Sequence, residues 1–539
     1  MIGGALHTIA KEMAHVIERM AYSSLIRESE DLGAGVFNKF GHTIAEADST
    51  PMQLGCLPGY IQGFQSVLGV NIHPGDIIWN NDPYAGASHS PDIYAEGLIM
   101  NGIKFYEKGV RNETVAEIVR QNVRTPREVL GDLEAQVAGC RLGVKRFVEL
   151  MDKYGKDTVL QASEELMDYS ERVMRQAIAK VPDGAYEAES WLDDDGRNLG
   201  KRLRVHVKIN IEGDELEVDV SGSSDQTPTA FNASYSGALC VSVYSVLRSI
   251  FLDTAVHEEF IPPNHGTFRP ITVTARKGCI FNPIKPAATF SRANQVNTVA
   301  DLIIKALAPV LPEQTCAGSS ANIQFASYAG LDENSDYWVY IEVNEGSYGG
   351  RPGKDGMDAM DFSSWNTRNN PIEDLDMHKP MVCDRYELRE DTGGAGRWRG
   401  GLGIVRKNRM LTDGFMTMEG DKHTVRPWGY KGGLPGNSAS LIKNPDTNPE
   451  HLSSKLNGYT LIAGESIMVL VPSSGGYGDP LDRPAEQVYE DVLDDYVSEE
   501  TALRDYGVII KNRKLDLEAS IENRKKLREK RGKVELYTE

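Results

Sequence analysis

The chain has 539 residues, 40% hydrophobic and 25% charged, a globular composition long enough for several packed layers. Its formal net charge of -20 argues against nucleic acid as a partner, because neutralising phosphates needs a basic face. Six scattered cysteines form no C-x-x-C pair, which argues against a cysteine-based zinc site and fits a reducing compartment. No signal peptide and no bilayer-length apolar run are visible, so the expectation is a cytoplasmic protein without membrane contact.

In chain order, Ile2, Leu6, Ile9, Met13, Val16, Ile17 and Met20 recur at threes and fours, predicting a one-faced helix to about Leu25. Arg27 to Phe37 reads as a turn into a strand, with Asp31 at the strand entry. Asn38-Lys39-Phe40-Gly41 is a hairpin turn and Thr43 to Ala47 the return strand. Gly75 to Pro83 is a buried strand running into a polar loop, and Gly102 to Val110 is a further strand. Arg127 to Lys180 carries helical spacing until Pro182-Asp183-Gly184 stops it. Val205, Val207, Ile209 and Ile211 alternate with polar residues and predict a hairpin with Leu216, Val218 and Val220. Helices are expected near 236–252 and 294–310. From about 340 to 485 glycine clusters punctuate strand-like sequence, and the tail from Pro484 is helical, ending in a charged amphipathic segment. The fold class is therefore α+β, a multi-domain mixed α/β chain with a Gly-rich, β-dominated C-terminal region. Four regions are expected: 1–190, 191–340, 341–485 and 486–539.

The loop Asn81-Asp82-Pro83-Tyr84-Ala85-Gly86-Ala87-Ser88-His89-Ser90-Pro91-Asp92 packs turn formers around one imidazole and two carboxylates. Imidazole suits Zn, Mn or Fe and carboxylate the harder of these, so the loop is either a compact metal site or a set of capped turns with a solvated His89. Arg397-Trp398-Arg399 lies between glycine clusters and reads either as a packed Trp with flanking salt bridges or as a carboxylate clamp. Three prolines around Asn264, His265 and Arg269 argue for a rigid loop. There is no G-x-x-x-x-G-K-[ST], no G-x-S-x-G and no strand–helix context for a dinucleotide site, so the chain shows no place of its own for ATP.

Taken together, Arg27 to Gly33, Asn81 to Asp92, Asp219-Val220-Ser221-Gly222-Ser223, Asn264 to Pro270, Asp391 to Gly403 and Gly475 to Pro480 resemble the hydantoinase B family. That family embraces B-type subunits of ATP-dependent hydantoinases, lactamases and ketone carboxylases, and the C-terminal half of 5-oxoprolinase. The resemblance implies that Asp31, His89 and Asp92 are metal ligands, for Mn or Zn before Fe. It gives Asp31 and Asp82 a catalytic role, and Arg292, Arg397 and Arg399 are candidate substrate or anion binders. Relatives carry a His-His-x-Asp-Ile-Gly-type segment after the Pro-Asp motif. Here Ile93-Tyr94 runs straight into Ala95-Glu96, with no histidine between His89 and His206. Either this chain lacks that loop or residues are missing at the junction, and the fit of Tyr94 and Ala95 to opposite edges of the gap favours the second reading.

The resemblance also implies a hetero-oligomer. In such an assembly the hydantoinase A-type ATPase subunit phosphorylates a carbonyl oxygen of the small-molecule substrate, using the ATP it holds. The B-type subunit then completes the reaction, and some carboxylases include a small zinc-binding subunit as well. The first expectation is carboxylation of an acetone- or acetophenone-like ketone through an enol phosphate. The alternative is hydrolysis of a hydantoin, lactam or 5-oxoproline, and the third a metal-free structural subunit. The Glu28-Ser29-Glu30-Asp31-Leu32-Gly33 form places carboxylation first, by a small margin.

Overall fold

A computed structural model describes residues 1–87, 98–253 and 260–539. Its contacts group the chain into two compact units, each assembled from separated segments: 1–189 with 205–303 and 363–370, and 190–204 with 304–362 and 371–539. This differs from the four consecutive regions expected, because long-range pairing gathers segments that are remote in sequence.

In the first unit, the opening helix Ile2–Met20 buries Leu6, Ile9, Ala10, Met13, Ala14 and Ile17. It ends before the expected Leu25, and a separate turn of helix, Ser24–Arg27, follows. The helix packs against Pro126–Tyr154, whose Gly139 and Gly143 leave room for Ile17 and Met13. A Cβ at Gly143 would stand 2.3 Å from the Met13 sulfur, so the two helices meet at glycine-limited distance. The predicted helical stretch is two helices, broken at Gly155 (φ 87°) before Lys156–Ile178.

Strands Gly35–Phe37 and Thr43–Glu46 pair antiparallel, with Gly35 opposite Glu46. Ile77–Asn80 pairs with Asn101–Glu107, which pairs with Val110–Arg111. The strand Leu203–Glu212 alternates as its sequence predicts, burying Val205, Val207, Ile209 and Ile211. It pairs antiparallel with Glu215–Asp219, which lies parallel to Ile271–Thr274. The predicted central helices are present as Cys240–Phe251 and Ala293–Leu307.

The second unit is built on two antiparallel sheets. One orders Tyr337–Asn344, Gln324–Leu331, Gly414–Glu419 and Lys455–Leu461. The other orders Met381–Leu388, Ile404–Met410, Ser466–Leu470, Ser440–Lys443 and Glu450–Leu452. One apolar cluster draws on both, with Tyr328, Met416 and Leu461 from the first and Ile404, Leu441 and Ile467 from the second. That shared core is how two sheets bury their inner faces. Helices Ala485–Leu493 and Glu499–Tyr506 contribute Val488, Val492 and Ala502 to a separate small core. Among the described residues no helix is long and apolar enough to cross a membrane.

Candidate functional site

Asp31 follows Glu30, which takes a left-handed backbone (φ 54°), and leaves the short helix with its N–H on the Leu25 carbonyl. The Gln53 side-chain amide, in the first turn of the helix Pro51–Leu68, donates to Asp31 Oδ1 at 2.9 Å. The residue keeps some exposed surface, but its carboxyl is enclosed by neighbouring atoms. Burial raises its pKa above the usual carboxylate range, against the opposing Gln53 hydrogen bond and Arg292 charge. Arg292 is itself buried, with its guanidinium 5.4 Å from the centre of the Trp365 ring. Trp365 is fixed in turn by its indole N–H on Asn297 at 2.6 Å. The structure thus brings Asp31 and Arg292 into one electrostatic neighbourhood.

Asp82 is buried and holds the polar loop in shape. Its Oδ1 caps the following turn by accepting the Tyr84 N–H at 3.0 Å, and its Oδ2 lies 3.3 Å from Lys285 Nζ. The carboxylate assigned a catalytic role therefore already serves a cap and an ion pair. His89 and Asp92 lie outside the described residues. The segments on either side of them are tied together by Asn81, whose side chain donates to the Leu98 carbonyl at 3.1 Å and accepts the Met100 N–H at 2.6 Å. Asn80 ties the start of the loop to the helix Pro51–Leu68, donating to the Tyr60 and Ala85 carbonyls.

Glycines seat this loop. Gly86 has φ 95°, and a Cβ there would lie 2.0 Å from the Gly59 carbonyl carbon. A Cβ at Gly63 would meet the Ala85 oxygen at 2.2 Å. Backbone contacts this close exclude any side chain, so the loop's base is set by backbone-on-backbone packing. The sequence reading gave no role to Gln53, Asn80, Asn81 or Lys285. The two asparagines were legible as turn formers, whereas Gln53 and Lys285 carry no local signal.

The remaining candidates belong to the second unit. Arg399 is buried and spent: Nη1 and Nη2 meet the two Asp358 oxygens at 3.0 and 3.3 Å, and Nη1 also donates to the Gly400 carbonyl. This is the salt-bridge alternative of the sequence reading: the Asp358 carboxylate occupies the Nη1–Nη2 edge that a clamp would use. Arg397 is exposed and stacks on Trp398 at 5.0 Å, while Trp398 meets Tyr477 edge-on. The glycine clusters around them are packing devices. A Cβ at Gly400 would stand 2.0 Å from the Ser474 oxygen, and one at Gly475 1.9 Å from the Trp428 oxygen. Among the described residues no group of three or more His, Cys, Asp and Glu side chains is placed to hold a metal ion. Asp31 is the one described member of the expected ligand set.

The model of the Hydantoinase B/oxoprolinase family matches residues 1–95 and 92–480. The chain belongs to this family. Its relatives include the putative B-type subunit of a D-/L-hydantoinase from Pseudomonas sp. (strain NS671), 42% identical over 574 residues that take in 97% of this chain and 96% of that protein. Among solved structures, the ATP-dependent caprolactamase from Pseudomonas jessenii superposes with a TM-score of 0.88 at 27% identity, covering 97% of this chain and 98% of that one. A nucleotide-free acetone carboxylase superposes with a TM-score of 0.87 over 98% of this chain and 83% of that one; at 16% identity this shows a shared fold. The two family-model stretches meet at 92–95, within the junction where the sequence reading expects a missing segment. The alignment with the hydantoinase relative is longer than this chain, so that relative holds stretches with no counterpart here.

Proposed function

We propose that this chain is the B-type subunit of an ATP-dependent hydrolase of cyclic amides, working with an A-type ATPase partner. The supporting observation is the 42% identity to a putative hydantoinase of the B type across nearly the whole of both proteins. The carboxylase reading, placed first on sequence, rests on a solved structure only 16% identical, and a shared fold carries no reaction with it. The comparisons leave the choice between the two reactions open; the degree of likeness favours hydrolysis.

In this reading the partner places the γ-phosphoryl group of ATP on the amide oxygen. The carbon becomes electrophilic, water attacks it, and the C–N bond breaks. The acyl phosphate left by that cleavage is hydrolysed by a second water, so that overall the cyclic amide, ATP and two waters give the ring-opened carboxylate, ADP and phosphate. Asp31 lies near the positive charge of Arg292, and Asn81 holds together the chain on either side of the loop that carries His89 and Asp92. Asp31, His89 and Asp92 are the proposed ligands of a divalent ion, Mn or Zn. Such an ion supplies Lewis acidity or lowers the pKa of a bound water. The described residues do not by themselves form that site.

Co-expression with the A-type partner, followed by assay of ATP consumption, tests the proposal. Hydantoin, 5-oxoproline or caprolactam should each be tried, and at least one is expected to stimulate phosphate release with ring opening. Stimulation by acetone or acetophenone with bicarbonate, and by no cyclic amide, would overturn it. Elemental analysis of the complex should show metal that is lost in His89→Ala and Asp31→Ala; metal retained in both removes the ligand assignment.

A further inference from the structure

A cleft of about 310 Å³ opens in the first unit between the end of the strand Thr43–Glu46 and the helix Cys240–Phe251. This is the small end of the range for small-molecule sites and suits a single ring. Its apolar wall is the Tyr244 ring stacked on Phe268, with centroids 4.5 Å apart, together with Leu54 and Leu252. Its polar end is Glu46 beside Arg248, with Nη1 and Oε1 3.4 Å apart.

That pair is loosely made. The Glu46 side chain is 12% exposed and Arg248 30%. Arg248 has five N–H donors, and this one long contact is its only hydrogen bond or ion pair among the described residues. Asp48, at the rim, is already paired with Lys11 at 2.8 Å. Ser49 Oγ, which also lines the cleft, is buried without a hydrogen-bond partner among the described residues. A buried polar group in that state is one that a ligand can satisfy. Burial pushes the Glu46 carboxyl above its ordinary range, with the Arg248 charge opposing, so an N–H donated to it stabilises the carboxylate.

The polar end therefore sets an acceptor beside a donor, with no net charge between them. A secondary amide held cis in a small ring presents the matching edge: its N–H and its C=O point the same way. An open-chain trans amide points them in opposite directions. We propose that this cleft binds a neutral cyclic secondary amide, its N–H donating to Glu46, its carbonyl accepting from Arg248 and its ring lying on the Tyr244–Phe268 stack. The choice of occupant rests on the proposed hydrolase function; the cleft's donor–acceptor pair does not.

The test is calorimetric titration of the full chain, without ATP or partner, using 2-pyrrolidinone, N-methyl-2-pyrrolidinone and cyclopentanone. Binding of 2-pyrrolidinone is expected, and loss of the N–H should weaken it about tenfold or more, because a buried acceptor is left unsatisfied. Glu46→Met and Arg248→Met should abolish it while still melting in one cooperative transition. The wild-type comparison of the two pyrrolidinones stands even where a variant folds poorly. Equal binding of both, or binding unchanged in both variants, overturns the proposal. Binding without turnover by the complex keeps the cleft and removes the hydrolase function. Turnover with an unchanged KM in both variants keeps the function and removes the cleft.

Discussion

Two arginine settings, one in each unit, are used in opposite ways. In the second unit Arg399, Arg406 and Arg483 are almost wholly buried and tightly partnered: Arg406 meets Glu342 at 2.6 Å, and Arg483 spans Asp355 at 2.6 Å and Asp491 at 2.8 Å. In the first unit Arg248 stands at the edge of a cleft with one contact at 3.4 Å. A buried guanidinium held by close carboxylates is a structural pin, whereas one with a single long contact at a cavity is available to a ligand. Residue type does not separate the two uses; burial and partner geometry do.

Arg483→Met should sharpen that contrast most. It leaves Asp355 and Asp491 without their shared cation, and breaking a buried pair from one side costs about 3–5 kcal/mol, read as a lower denaturant midpoint. Arg248→Met should cost less than about 1 kcal/mol, because its pair is long and partly solvated. Equal losses in the two variants would erase the distinction.

Gly63→Ala is expected to cost about 1–3 kcal/mol, since the added methyl runs into the Ala85 backbone oxygen and nothing flexible can yield. Because the displaced loop leads toward His89 and Asp92, activity of the complex should fall further than stability alone requires. Gly109→Ala, with open space around its Cβ position, controls for the added methyl but also faces a left-handed backbone (φ 86°). Gly4→Ala is the cleaner control.

Acidification gives a smaller effect in both units. His265 in the first, stacked on His42 at 4.1 Å, and His423 in the second each have a pKa pushed down to about 4 from 6.5, chiefly by burial. The unfolded chain takes up these protons before the folded one does. Stability is therefore full above about pH 6.5 and is lost as pH falls toward 4. Between pH 7 and 5.5 the loss should be about 1 kcal/mol per histidine. His265→Gln should remove the first unit's share of this slope; a slope unchanged by it would contradict the assignment.

Local patterns were the legible part of the fold. The 3.6-residue period of Ile2–Met20 and the strict alternation of Leu203–Glu212 each report a buried face directly. The break at Gly155 was not legible, because helical spacing resumes on its far side. Nor were the two sheets of the second unit, whose neighbours, such as Met381–Leu388, Ile404–Met410 and Ser466–Leu470, are chosen by long-range pairing. For the site, the motifs named Asp31 and Asp82, but only packing shows Asp82 capping a turn and Arg399 locked to Asp358. The cleft was beyond reach of sequence, since Glu46 and Arg248 are 202 positions apart and neither sits in a motif.

The most direct test of the proposed function is mass analysis of the product made by the purified complex of this chain with its A-type partner. The complex is given ATP with a cyclic amide in one reaction, and ATP, acetone and 13C-bicarbonate in another. The account predicts a ring-opened product one water heavier than the amide, formed with phosphate release, and no 13C incorporation into the ketone. A 13C-labelled carboxylated ketone, with the amide returned intact, would contradict it.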